Sequence, residues 1–535
     1  MGGLTHVDTR QTAVPGAHSE RLWIFDSGLR RVNAWMFLSI LSSFASGYDG
    51  SFFTGLLTVT KFFVDFAPEN ASKVGLLGTS GVLGLLVGPW ISQYFCDKIG
   101  RPRTMIIASA TMILGGGLST IHIHNNPDGL QAMWIVARVI TSIGSGIGLV
   151  AAPALITELA HPRHRAILVA FFWCGFYLGA IVAAAVTYGM NGWFSDWAWR
   201  LPSLLQIVPA AIQMPFLFFC PQSPRWLAAR GREAEASQLL AKYHANGDES
   251  HPVVLHQMAD IRDVITLDKA SAEASMLDLF RGKAALRRVW VIVVLSVATQ
   301  WVGNALLTYY LPTILATIGI SSTLEQARFN IGIAAFNLVV STFWGSQVER
   351  FGRRTLFLCS GVGMLICYTI ITALSATYAK NPSNGGVGKG VIAFIFLFYF
   401  FYDMALTPLA IAYPAELLPY RLRSKGLALN TTLIAVALCF NIWVNPIAEA
   451  AIAWKYYIVF IAVIIMYLIN VFLFFPETKG KSLEQLETIF EGRTIVFRNG
   501  TASVKPRDSE ALHHTTSELE GNLDFDAKHS DDVKM

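Results

Sequence analysis

Charge is scarce in this chain. Only 14% of its 535 residues are Asp, Glu, Lys or Arg, against 53% hydrophobic ones, and a soluble protein usually carries about 25%. That excludes a large water-covered enzyme and makes the bilayer the natural solvent. Cysteine is sparse too. Cys96, Cys174, Cys220, Cys359, Cys367 and Cys439 fall in or beside apolar segments, without CxxC or Cys/His spacing, so neither a disulfide framework nor a metal centre is expected. No Ser/His/Asp grouping or phosphate-cradling loop is present, which leaves a membrane enzyme the least favoured reading, and no cofactor is expected. The net charge of +5 does not mark a nucleic-acid binder, because the cations form short clusters between apolar runs rather than a stripe. The first twenty residues lack an apolar leader with a cleavage site, so the first hydrophobic segment is expected to act as an uncleaved anchor.

What the chain has is apolar runs near the 20 or so residues that cross a hydrocarbon core. Twelve are read, at 33–57, 74–95, 104–122, 130–157, 166–190, 201–220, 289–318, 327–348, 355–378, 389–413, 424–448 and 454–475. The expected division is a tail at 1–32, six spans in 33–220, a charged linker with short helices at 221–288, six spans in 289–475, and a largely disordered tail at 476–535. One set of loops carries Lys98, Arg101, Arg103, Arg163, Arg165, Arg350, Arg353, Arg354, Arg421, Arg423 and Lys425. By the positive-inside rule this set, the linker and both termini are cytoplasmic.

Spans and charges repeat. Asp97-x-x-Gly-Arg101 recurs as Glu349-x-x-Gly-Arg353, Glu158…Arg163-x-Arg165 as Glu416…Arg421-x-Arg423, and Pro221-Gln-Ser-Pro-Arg225 loosely as Pro476-Glu-Thr-Lys-Gly480. Positive-inside placement explains the arginines but not the acids set identically beside them. Two parallel six-span halves with a site between them is one architecture of alternating-access transport. With Trp199-Arg200-x-Pro202-x-x-x-Gln206 and Gln300-Trp-Val-Gly303-Asn304 followed by Tyr309-Tyr310, the region 33–490 resembles the sugar-porter family of the major facilitator superfamily, especially its fungal lactose-permease-like and hexose-transporter branch. The resemblance implies an all-α membrane protein of twelve transmembrane helices in two pseudo-symmetric six-helix bundles. It also implies import of a sugar-like solute, with a proton as co-substrate and the lipid bilayer as surroundings.

Ionisable groups within spans are costly and usually functional. Asp49 in span 1 and Arg138 in span 4 each lie about eight residues from the outer end, roughly 12 Å deep at 1.5 Å per residue. They are therefore expected to meet. The resemblance implies proton coupling for the pair; a permanent strut between helices is the alternative. Asp403, near mid-depth in span 10 and before a kink expected at Pro408, is read as a gate residue. Asp97, Arg101, Glu158, Arg165, Glu349, Arg353, Glu416 and Arg423 are expected to pair between the halves when the inner side closes; headgroup anchoring by the arginines is the alternative. Tyr309 and Tyr310 stand where family members bend to close the outer gate.

A sugar needs amide or hydroxyl partners and flat apolar faces. Gln300 and Asn304, at i and i+4, are expected on one face of span 7, with Thr299 beside them. Asn337 of span 8 matches a sugar-contacting asparagine of the family, and Trp173 and Asn441 complete the expected set, although an Asn or Trp inside a helix also serves packing. Trp173 replaces a glutamine frequent in hexose porters, Ala305 an asparagine, and Ile411 a tryptophan, so a disaccharide, polyol or larger hydroxylated solute fits better than glucose. Facilitated diffusion, export of another hydroxylated metabolite, and a non-transporting nutrient sensor are the competing functions.

Overall fold

The computed structural model describes residues 26–123, 126–272, 275–380, 385–480 and 490. The tail expected at 1–32 lies outside them up to residue 25, as does nearly all of the chain beyond 480. We call the face with the basic loops inner and the opposite face outer.

Span 1 is α1 (Ser27–Leu56). It starts six residues before the expected boundary because Asp26 caps it, accepting hydrogen bonds from the backbone N–H groups of Gly28 and Leu29. A short outer helix, α2 (Thr60–Phe66), precedes span 2, which is α3 (Ala71–Leu83) and α4 (Gly88–Ile99) around a 3-10 turn at Gly84–Leu86. Spans 3, 4 and 5 are α5 (Arg101–Leu118), α6 (Pro127–Leu159) and α7 (Pro162–Gly189). Proline opens the last two, where its missing N–H costs no helical bond. Span 6 divides into α8 (Trp197–Leu205) and α9 (Val208–Leu217). The inner linker forms the short helices expected of it: α10 (Pro224–Ala229), α11 (Glu233–His244) and the longer α12 (Pro252–Ala272).

The second half begins with span 7, divided into three: α13 (Lys283–Trp301), α14 (Asn304–Tyr309) and α15 (Leu311–Thr317). Spans 8 to 12 are α16 (Thr323–Phe351), α17 (Arg353–Lys380), α18 (Gly385–Leu417), α19 (Tyr420–Ile452) and α20 (Tyr457–Phe474). No strand occurs among the described residues. Among the described residues eight segments are long and apolar enough to cross a bilayer, one of them, Leu422–Phe474, holding two crossings joined at a 3-10 turn. The other three crossings are α1, α5 and the α8–α9 pair. α1 carries buried serines, α5 opens on Arg101 and Arg103, and α8 and α9 are each too short alone.

The halves share their local geometry. Gly100 and Gly352 open α5 and α17 with φ of 90° and 86°, a backbone region that favours glycine. Gln222 presses on the first and Glu477 on the second, so an added Cβ would lie 2.2 Å and 2.8 Å from their carbonyl or carboxylate oxygens. These are the second residues of the two Pro-Gln and Pro-Glu repeats.

Within the first half, α1 and α7 approach most closely at glycines: a Cβ at Gly47 would fall 1.8 Å from Phe176 O, and one at Gly179 2.0 Å from Phe44 O. Such small residues let membrane helices pack by van der Waals contact. Between the halves, α3 packs on α19, α7 on α16, and α1 on α14. At the outer ends one hydrophobic cluster joins Phe52, Phe53 and Trp134 to Leu306, Tyr310 and Ile442. Thr54 Oγ1 donates to Thr308 O (2.9 Å) and Thr323 Oγ1 to Asn191 Oδ1 (3.0 Å). The outer side is closed.

Candidate functional site

Asp49 and Arg138 meet deep in the first half, 3% and 2% exposed. Arg138 Nη1 donates to the Asp49 carboxylate and Nη2 to Asp49 O (3.1 Å). The site is larger than the pair. Nη1 also reaches Gln206 Oε1 (3.1 Å), and Gln206 Nε2 donates to Ser119 Oγ (2.9 Å). Gln206 stands at the break between α8 and α9, where the interrupted helix lets its side chain turn inward. The guanidinium lies 4.6 Å from the Phe52 ring centroid, a cation–π contact. Gly81 makes room for it: a Cβ there would come within 2.4 Å of Arg138 Nη2. From the other half, Tyr309 of α14 lies within electrostatic reach of both charges.

Span 7 corrects the expected alignment of Gln300 and Asn304. α13 ends at Trp301 and Gly303 takes φ 102°, so the helical phase restarts and i, i+4 spacing no longer sets one face. Thr299 turns its hydroxyl back to Ser296 O (2.7 Å), which spends its donor inside the helix. Asn441 Nδ2 donates to Gln300 O (2.5 Å), holding backbone exposed by the break rather than a solute. Asn304 Nδ2 donates to Tyr402 Oη (3.1 Å), and Tyr402 Oη to Thr299 O (2.8 Å). Asn304 Oδ1 and Asn337 Oδ1 are buried acceptors without a hydrogen-bond partner among the described residues, which a sugar hydroxyl would satisfy. Trp173 is 46% exposed and edge-on to Phe172, one residue before the Cys174–Thr342 contact (3.7 Å) between α7 and α16.

Asp403 is buried in α18, a helix that continues on both sides of Pro408. Its Oδ1 accepts from Thr407 Oγ1 (2.6 Å) and its Oδ2 has no hydrogen-bond partner. Tyr177, from the opposite half, lies against Thr407, Ser341 and Asp403. Tyr310 Oη donates to Ile442 O (2.7 Å), tying span 7 to α19.

At the inner end two of the pairs lie within the halves. Arg101 binds Glu158 (2.8 Å) and Arg353 binds Glu416 (2.8 Å). Glu416 also accepts from Thr478 Oγ1 (2.5 Å), and Glu477 accepts from the N–H groups of Arg353 (2.9 Å) and Arg354 (3.0 Å). Asp97 contributes its backbone carbonyl, to Trp226 Nε1 (3.0 Å) and Arg230 Nη2 (2.9 Å). Arg165 lies near Glu158 and Asp260, and Arg423 is half-buried on α19. The Glu349 side chain lies outside the described residues. Sequence reasoning missed Gln206, whose motif was visible but whose role was not, and the phenols of Tyr177 and Tyr402.

Three comparisons bear on this geometry. The high-affinity glucose transporter of Kluyveromyces lactis is 29% identical over 491 residues, covering 88% of this chain and 87% of its own. An inward-open structure of the xylose transporter XylE from E. coli superposes with a TM-score of 0.71 at 22% identity, over 86% of this chain and 99% of XylE. A second XylE structure, described as the proton:xylose symporter bound to 6-bromo-6-deoxy-D-glucose, gives 0.68 at 24% identity with the same coverage. Residues 35–490 match the family described as sugar (and other) transporter, and the chain belongs to that family, as a twelve-helix sugar porter of the major facilitator superfamily.

Proposed function

We propose that the chain imports a sugar-like solute together with a proton, by alternating access across the plasma membrane with both termini cytoplasmic. The observation that carries this reading is the Asp49–Arg138–Gln206 network, buried in the first half with Tyr309 of the second half beside it. A carboxylate released from its arginine into a dry site takes up a proton, and one re-paired with the arginine gives it back. Gln206 offers Arg138 a second acceptor while Asp49 is protonated. Tyr309 joins this exchange to the broken span 7, so loading and gate movement share parts. The description of XylE as a proton:xylose symporter supports coupling, and the name of the Kluyveromyces relative supports a sugar.

The solute would lie between the halves, where Asn304 Oδ1 and Asn337 Oδ1 are unfilled acceptors and Gln300 adds its amide. A second reading, facilitated diffusion or export of another hydroxylated metabolite, is favoured by the loss of Thr299 and Asn441 as donors to the solute. Vesicles with an imposed pH gradient, screened over hexoses, disaccharides, polyols and acids, separate the two. Asp49→Asn is expected to abolish pH-driven accumulation and leave counterflow measurable; unchanged uphill uptake in that variant would end the coupling role.

A further inference from the structure

The outer end of the second half holds an acid that the transport mechanism above does not use. Glu449 lies on α19, 6% exposed, and neither carboxyl oxygen has a hydrogen-bond partner among the described residues. Around it stand four phenols: Tyr310 between α14 and α15, Tyr368 on α17, Tyr456 in the turn after α19, and Tyr457 on α20. The nearest polar neighbour on its own helix, Asn445, accepts from Tyr456 Oη (2.8 Å) and has an unpartnered Nδ2. Lys73 of α3 is held by Glu69 (3.2 Å) and Asp128 (3.1 Å). Lys455 belongs to the outer turn.

Three of the four phenols hold the divided span 7. Tyr368 Oη donates to Gly303 O (3.0 Å), bracing the first break, and a Cβ at Gly303 would meet that oxygen at 2.1 Å. Tyr310 Oη donates to Ile442 O, fixing the second break to α19. Tyr457 lies against Thr317, the last residue of α15. A negative charge among these rings, with neither carboxyl oxygen hydrogen-bonded among the described residues, would be dry while the outer side is closed. Parting α14 and α15 from the cluster would admit water, which stabilises the charge.

We propose that Glu449 is a second proton-binding site, filled from the outer medium as the outer gate closes and emptied as it opens. Its ligand is the proton alone. The site makes the gate equilibrium depend on outer pH, with alkaline medium favouring the open state. The inference rests on the alternating-access reading only in requiring an outer gate that opens.

The test uses the full chain in proteoliposomes, with the six native cysteines replaced and Thr54→Cys added as a reporter beneath the gate, where Thr54 is 1% exposed. A membrane-impermeant thiol reagent reads gate opening without any solute. Labelling rates are taken from outer pH 5.5 to 9 for chains with Glu449 and with Glu449→Gln. Their ratio cancels the titration of the thiol. The ratio is expected to start near one at pH 5.5 and rise several-fold by pH 9. A ratio flat across this range overturns the proposal. Should Glu449→Gln fail to fold, Glu449→Ala also removes the titrating group and gives the same comparison. A flat ratio with intact pH-driven uptake removes only the role of Glu449, whereas a rising ratio without uptake removes only the symport reading.

Discussion

Arg138 keeps its place because glycine stands opposite it. Gly81 leaves the guanidinium space, Gln206 gives it a second acceptor, and the Phe52 ring covers one face. Asp49 and Arg138 were legible in the sequence because charges inside apolar spans are rare and their depths matched. The solute residues were less so. Thr299 and Asn441 carry the right groups but spend them on Ser296 O and Gln300 O, and helical spacing alone does not reveal that. The break at Gly303 moved Gln300 and Asn304 out of the assumed phase. The acceptors left unfilled give the prediction at this scale. Asn304→Ala and Asn337→Ala are each expected to raise the apparent KM of the true solute about 3- to 10-fold, the worth of one hydrogen bond of about 0.5–1.5 kcal/mol. Initial-rate uptake checks it, and an unchanged KM removes that residue from the site.

At the scale of the helix, span number and order could be read from apolar length. The interruptions could not. α3–α4, α8–α9 and α13–α15 each read as one continuous apolar run, yet each divides where a side chain or backbone group of another span takes over. Ser142 Oγ accepts from Gly84 N (2.9 Å) at the first break, and Tyr368 Oη binds Gly303 O at the last. Proline ends no span here either, since α18 passes through Pro408 and Pro414 with neighbouring helices available to satisfy freed carbonyls. The α1–α7 contact supplies a prediction. Gly47→Leu must push Phe176 and its backbone away, and is expected to cost about 1–3 kcal/mol through overpacking. The thermal midpoint in detergent should drop by several degrees, whereas Gly189→Leu, where an added Cβ meets nothing within 4 Å, should leave it nearly unchanged.

Across the whole molecule, the linker helices are seated on the first half through histidines. The rings of His161 and His244 pack 5.1 Å apart, His244 Nε2 faces Leu159 O (3.1 Å), and Gln257 Nε2 faces His244 Nδ1 (3.1 Å). A neutral ring with its proton on Nε2 satisfies both bonds. Burial pushes His161 down to about 3 and His244 down to about 4 from the usual 6.5. The undocked state therefore binds more protons below pH 6.5. Docking is at full strength above 6.5 and weakens as pH falls toward 4 and then 3. Hydrogen exchange of α11 and α12, corrected for its intrinsic pH dependence, should be faster at pH 5 than at pH 7.5; equal protection at both would refute it.

The repeated charge motifs told of two halves from the sequence, but not which acid each arginine would choose. Arg101 takes Glu158 and Arg353 takes Glu416, each within its own bundle. Severing the chain between α12 and α13 would leave both of these inner pairs intact, and two co-expressed fragments would still have the α3–α19, α7–α16 and α1–α14 faces by which to find each other.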